Sequence, residues 1–166
     1  MESAITPPYL DDTDLRLLEV LQGDASLSNQ DLAAAALTSP ATCLRRVKRL
    51  VETGVIERRV ALLSAAKLGA GLTAVAEITL DRQGAEHLEA FESRAVAEVG
   101  VQQCYRVSSG PDFVLVLNVP DMAAYDGLVR RLFTQDANVR NVKAFFSVHR
   151  AKFDPALALP GRGKPG

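Results

Sequence analysis

The feature that most constrains this fold is a change of hydrophobic period near residues 64–71. Before it, apolar residues recur at helical spacing. Leu15, Leu18 and Leu21 form one set, and Cys43, Leu44, Val47, Leu50 and Val51 share one face of another. After it, Ala74, Ala76, Ile78 and Leu80 alternate with Val75, Glu77 and Thr79, the period of a strand. A chain of 166 residues that switches period in this way is read as two small domains. The boundary is placed at Ser64–Gly71, a run of small residues ending Gly69-Ala70-Gly71.

The first domain, residues 10–63, carries three helix starts. Asp11 can cap a helix with Asp14 three residues on, while Leu10 staples onto Leu15; Gly23 is the stop. Ser28 with Asp31 opens a second, short helix through Leu32 and Ala33–Ala36. Leu37-Thr38 is a tight turn, after which Ser39 caps a third helix and Pro40 fits its first position. Three helices, the last two joined by so short a turn, make the helix-turn-helix arrangement. Their inner core is expected from Leu15, Leu18, Leu32 and the apolar face of the third helix. Val55-Ile56 and Val60–Leu63, flanking Glu57-Arg58-Arg59, are expected to form a small hairpin, or wing.

Charge singles out the third helix. Net charge is −1, so no bulk positive field steers the molecule to nucleic acid. Arg45, Arg46, Lys48, Arg49, Arg58 and Arg59 nevertheless concentrate in residues 39–59, against only Glu52 and Glu57. Thr42, Arg45, Arg46, Arg49 and Thr53 lie on the face opposite the apolar one. Such a helix reaches phosphates and base edges in a major groove. Thr42, Arg45 and Arg46, near its start, are the base-edge candidates, and Arg49 is a phosphate contact. One small basic patch binds weakly, so several copies are expected to act together.

The second domain, residues 74–153 after a hinge at 64–73, reads as βαββαβ. A helix over 84–99 presents Leu88, Phe91, Ala95 and Val99; Val101, Gln103, Tyr105 and Val107 alternate; Ser108–Asp112 is a turn. Phe113–Leu117 is apolar on both faces, as in a central strand. Asp121 caps a helix bearing Tyr125, Leu128, Val129 and Leu132, and Val142, Ala144, Phe146 and Val148 close the series. The fold class is therefore α+β: a winged helix-turn-helix, then a ferredoxin-like sheet with helices on one face. The bare face needs a cover, and a second copy is the simplest one. Residues 1–9 are expected to be a flexible arm and 154–166 a flexible tail.

Other function classes find little support. No apolar run approaches the roughly 20 residues that span a bilayer, and MESAITPPYLDD does not resemble a secretory signal. Cys43 and Cys104 follow no metal-ligand spacing and read as reduced thiols of a cytoplasmic protein. His87 and His149 are isolated. With no nucleophile elbow, phosphate loop, paired carboxylates or metal cluster, an enzyme is not expected.

LDDTDLRLLEVLQ, SPATCLRRVKRLVETGVI and RVSSGPDFVLVLNVPDMAAY together resemble the Lrp/AsnC, or feast/famine, family of transcriptional regulators, from Leu10 to about Phe153. The resemblance implies a DNA-binding first domain acting as part of a dimer. It implies a second domain that assembles copies, often as four dimers in a ring, and senses an amino acid such as leucine or another apolar one. The third helix corresponds to the recognition helix, with Ser39, Thr42, Arg45, Arg46 and Arg49 facing DNA. Gly110, Asp112 and Phe113 match the family's Gly-Asp-x-Asp-Tyr turn, and Arg106, Met122, Phe145, Phe146 and Ser147 border the effector cleft in relatives.

This chain departs from the pattern. Pro111 stiffens and shortens the turn, SSGPDF has one acid where relatives often have two, and Arg106 stands where an apolar residue is common. Asp112 has two readings. It caps the turn, or it faces an effector's ammonium group while backbone groups of Ser109 and Gly110 meet the carboxylate. Phe146 is expected in the core, and Phe145, beside Lys143 and Ser147, at an interface or cleft. Two other functions stay open: an architectural DNA-binding protein without an effector, and a sensing module of the ACT type that controls an enzyme partner.

Overall fold

Asp11 starts the first helix. Its carboxylate accepts the N–H groups of Thr13 and Asp14 at 3.0 Å, and the Asp14 carboxylate accepts the Asp11 N–H at 3.1 Å. This reciprocal cap satisfies donors that a helix start leaves unpaired, and opens α1, Asp12–Gly23. The computed structural model describes residues 8–69 and 71–160. In it, α2 is Asn29–Ala35 behind Ser28, and α3 is Pro40–Glu52 behind Ser39, with Pro40 in the first turn. All three starts are those expected.

The buried register of these helices differs from the expected one. Their core is Leu17, Leu32, Ala33, Ala36 and Cys43, ringed by Val20, Leu21, Leu27 and Val47. Leu17 takes the place expected for Leu15 and Leu18, because Asp14 and Leu17, three apart, face inward together. On α3, Cys43 and Leu50 are buried while Leu44 and Val51 are exposed. The inward seam is thus narrower than the apolar set predicts, and Arg46 leans toward it.

The turn between α2 and α3 is a full Schellman motif. Leu37 N–H donates to Ala34 O at 3.1 Å and Thr38 N–H to Ala33 O at 2.9 Å. Leu37 occupies the left-handed position, with φ 55°. Two side chains brace it: Arg16 Nε donates to Ala36 O and Asn29 Nδ2 to Pro40 O, both at 2.9 Å.

Two regions at the edges of this unit differ in detail from the sequence reading. No strand forms between Val55 and Leu63, so the wing region is irregular rather than a hairpin. An isolated two-stranded ribbon is marginal in water, and residues 57–63 are exposed. The described part of the tail does not simply fray: residues 153–160 rejoin the unit that runs to Ala61. The Gln22 amide holds the Leu157 backbone at both its O and its N–H, each at 3.0 Å. Most of the expected arm, and the last six residues of the tail, lie outside the described residues.

The other unit is Leu62–Lys152. It contains β1 Leu72–Leu80, α4 Ala85–Ala97, β2 Val101–Arg106, β3 Phe113–Val119, α5 Met122–Val129 continuing as a π-helical turn Arg130–Thr134, and β4 Val139–Phe146. The sheet is antiparallel in the order β2-β3-β1-β4, the ferredoxin-like arrangement. Ala74, Ala76, Ile78 and Leu80 face the helices with Phe113, Leu115, Leu117 and Val119. Small alanines on the central strand leave room for aromatic rings: the Phe91 and Phe113 centroids are 4.8 Å apart, and Phe133 stacks on Phe91 at 6.5 Å. Val99 falls beyond α4 and Val148 beyond β4, both exposed, so neither joins the core as expected.

The sheet face away from the helices carries rows set by register. Gln103, Val116, Val75 and Phe145 form one row, and Tyr105, Val114, Glu77 and Lys143 the next. Val75, Val114 and Val116 make much of its middle aliphatic beside Glu77, no helix of this unit covers it, and Val75, Tyr105 and Phe145 are exposed.

Candidate nucleic-acid interface and effector turn

Ser39 holds the start of α3. Its hydroxyl accepts the Thr42 N–H at 3.3 Å and bonds the Thr42 hydroxyl at 3.0 Å. Arg45, one turn on, is exposed and makes no hydrogen bond or ion pair among the described residues. It is the free cation of the helix start.

Arg46 is not free. Its Nη1 lies 2.6 Å from Asp11 Oδ2 and 3.0 Å from Asp14 Oδ1, and the side chain is largely covered. Arg49 Nη2 meets the other Asp14 oxygen at 2.5 Å, with about half its side chain open to solvent. Asp14 is the one buried charged residue among those described, at 1% exposure. A buried carboxylate is tolerated when paired and hydrogen-bonded, and here it meets two guanidiniums and one backbone N–H. The expected base contact from Arg46 is thus replaced by a tie between α3 and α1, and Arg49 is shared between that tie and solvent. The hydrogen bond from Arg46 holds the Asp11 carboxyl at a pKa of about 2, below its usual 3.8.

Sequence reasoning missed Asp14 as the residue that aims the helix, although a signal was there. Asp14, Leu17 and Leu21 share one face of α1, and an acid on a buried stripe calls for a cation from a neighbouring element.

The residues expected around an effector fall into two groups. The first surrounds the β2–β3 turn. Asp112 Oδ2 accepts the Leu80 N–H at 2.7 Å, and the Asp112 N–H donates to Ile78 O at 2.8 Å, so the turn is pinned to the end of β1. Gly110 supplies the positive φ, 87°, that the turn requires. The N–H groups of Ser109 and Gly110 donate to no acceptor among the described residues. Phe113 is fully buried and lines no cleft, which corrects its expected role. Arg106 turns to the helices, where Nη2 meets Glu92 Oε2 at 2.6 Å and the guanidinium lies 5.8 Å from the Phe113 ring centre.

The second group runs from the middle of the sheet, at Phe145, to its other end. Met122 opens α5 directly after β3 and is exposed. Ser147 N–H donates to Thr73 O at 2.9 Å, at the start of β1. Phe145 lies on the helix-free face opposite Val75, with Lys143 Nζ 4.9 Å from its ring centre. Phe146, expected in the core, is half-exposed and meets Tyr125 edge-on at 4.9 Å. The seven residues of β3 separate the turn from Met122 and Ser147 by about 20 Å at roughly 3.3 Å per residue, and Phe145, in the row of Val116, lies midway and two strands across. One chain therefore does not bring the whole expected set together.

Among the described residues, no helix is long and apolar enough to cross a membrane. Residues 10–57 match a family model described as winged helix-turn-helix DNA-binding, and residues 73–157 match the Lrp/AsnC ligand binding domain. An HTH-type transcriptional regulator of Haemophilus influenzae is 35% identical over 90% of this chain and 89% of its own length. The leucine-responsive regulatory protein of Escherichia coli is 33% identical over 92% and 93%. Among solved structures, an AsnC family regulator from Agrobacterium tumefaciens is 33% identical with a TM-score of 0.84, covering 90% of this chain and 97% of that one. A Neisseria meningitidis regulator, solved as its L-Met complex, is 28% identical with a TM-score of 0.85, covering 92% and 98%. With both domain models matched in order and relatives above 30% identity across nine-tenths of the sequence, this chain belongs to the Lrp/AsnC family: a DNA-binding transcriptional regulator with an amino-acid-binding domain.

Proposed function

We propose that the protein binds specific operator sequences through the start of α3 and that an apolar amino acid alters its assembly or its affinity for DNA. Ser39, Thr42 and Arg45 face the groove, and the open side of Arg49 meets a phosphate. The observation that carries this reading is the contrast along α3: Arg45 projects without a partner while Arg46, next to it, is clamped to Asp11 and Asp14. A helix fixed on one side and offering a free guanidinium on the other suits groove entry. Operator DNA places the protein in the cytoplasm. Gel shift on a selected operator, at fixed salt, tests the reading. Arg45→Ala is expected to cost about 1–3 kcal/mol of binding, and unchanged affinity would remove Arg45 from the interface.

The effector is an amino acid held at the Ser108–Asp112 turn. A zwitterion needs an anion for its ammonium group and donors for its carboxylate. Asp112 has one oxygen beyond its bond to Leu80, and Ser109 and Gly110 offer N–H groups. The L-Met in the Neisseria neighbour favours an apolar side chain. Met122 and Ser147, about 20 Å away, and Phe145, midway along the sheet and two strands across from β3, join such a site only from a second copy. Copies pair across the helix-free sheet face at Val75, Val116 and Phe145, and four such dimers form the full assembly. Calorimetry with apolar amino acids on wild type and Asp112→Asn tests the turn. Equal binding by both would remove the Asp112 charge from the site.

A further inference from the structure

We propose that Leu37 reads sequence directly, its aliphatic side chain held beside the start of α3 to contact the 5-methyl group of a thymine. The inference rests on reading α3 as the operator helix, and goes beyond it by adding a residue that precedes the helix and carries no polar group.

The first argument is conformational. The turn closes α2 with both hydrogen bonds of a Schellman motif, and the residue at its left-handed position is ordinarily glycine. Here it is leucine, at φ 55°. Leu37 is the one non-glycine residue with positive φ among those described, and a bulky side chain there is strained. Burial does not offset the strain, since Leu37 is 80% exposed. Strain in a backbone that its surroundings over-determine is characteristic of binding and functional sites.

The second argument is placement. The Leu37 and Thr38 N–H groups are taken by Ala34 and Ala33, and Arg16 grips the preceding carbonyl at 2.9 Å. The side chain therefore projects from a fixed point, two residues ahead of the Ser39 cap. In helix-turn-helix docking this is the end of the recognition helix that enters the groove. Phosphates and base-edge donors offer a leucine nothing. The thymine methyl is the apolar feature of the major groove.

Selection from random DNA with the wild-type protein defines the operator, and a pool with no enriched sequence would overturn both the operator reading and this proposal. On the selected operator, each thymine is replaced in turn by deoxyuridine, which lacks only the methyl. Wild type is expected to lose about fourfold in affinity at one position per half-site, the worth of one buried methyl group. Leu37→Gly is expected to bind the intact operator about fourfold more weakly and to be indifferent to uridine at that position, while melting no lower than wild type. Unchanged affinity with an unchanged uridine profile would overturn the proposal and leave the operator reading standing. So would weaker binding with the profile intact. If sedimentation also changed, Leu37 would belong to a contact between protein copies.

Discussion

Asp14 of α1 and Arg46 of α3 meet at 3.0 Å, with the carboxylate 1% exposed and the guanidinium largely covered. The pair ties α3 to α1 within the three-helix unit. Removing one partner of a buried ion pair leaves the other uncompensated, at a cost of about 3–5 kcal/mol. Arg46 and Arg49 both keep some contact with water, so Asp14→Ala is expected near the lower end, about 3 kcal/mol, measured by denaturant unfolding. A loss below about 1 kcal/mol would show that the tie contributes little.

The pH response follows from Asp11. Its carboxyl is held at a pKa of about 2 by Arg46, against an ordinary 3.8. A depressed folded-state pKa means the ionised form is favoured by folding. Its contribution is full above the unfolded value and is lost as pH falls from about 4 toward about 2. Thermal melts across that window should fall more steeply for wild type than for Asp11→Asn. Parallel curves would mean that the pairing adds no stability.

Leu37→Gly separates strain from function. Releasing a left-handed leucine recovers roughly 1–2 kcal/mol, while glycine adds back roughly 0.5–1 kcal/mol of chain entropy. A net gain of about 0.5–1 kcal/mol is expected, seen as a melting point a few degrees higher. A lower melting point would mean that the leucine is supported within the fold.

Gly100 is a matter of space. A Cβ there would sit 2.6 Å from Leu128 Cδ1 and 3.1 Å from Val119 Cγ1, and both side chains are buried. Gly100→Ala is expected to cost about 1–3 kcal/mol through overpacking, read from chemical denaturation. A neutral result would show that Leu128 can shift at no cost.

The bare sheet face gives the assembly prediction. Val75 is partly open in the single chain, between Val116 and Phe145. Val75→Asp leaves the helix-side core untouched and places a charge in the middle of the pairing surface. Sedimentation should show monomers with an intact melting transition. An unchanged dimer would move the interface elsewhere.

The elements most legible in the sequence are those that local chemistry specifies. Asp11, Ser28, Ser39 and Asp121 each cap the helix assigned to them, because a cap is a hydrogen bond within three residues. The sheet order followed from strand period and connection. What the sequence hid depends on partners far along the chain. Arg46 looked like its neighbour Arg45 until Asp14, 32 residues away, claimed it. The bulge in β2 between Val101 and Gln103 shifts which residues face the core, so that Cys104 packs there. Phe113 looked like a cleft residue from its place in a turn motif, yet strand alternation commits it to the helix side. The β2–β3 turn and the start of α5 were legible one by one, but the length of β3 that separates them was not.

The clasp between Gln22 and Leu157 spans 135 residues of sequence. In synthesis from the first residue onward, the three helices and their cap emerge and can pack early. Gln22 waits for its backbone partner until the whole ferredoxin-like sheet has left the ribosome. The three-helix unit is therefore closed only after the sheet that interrupts it in sequence has been made.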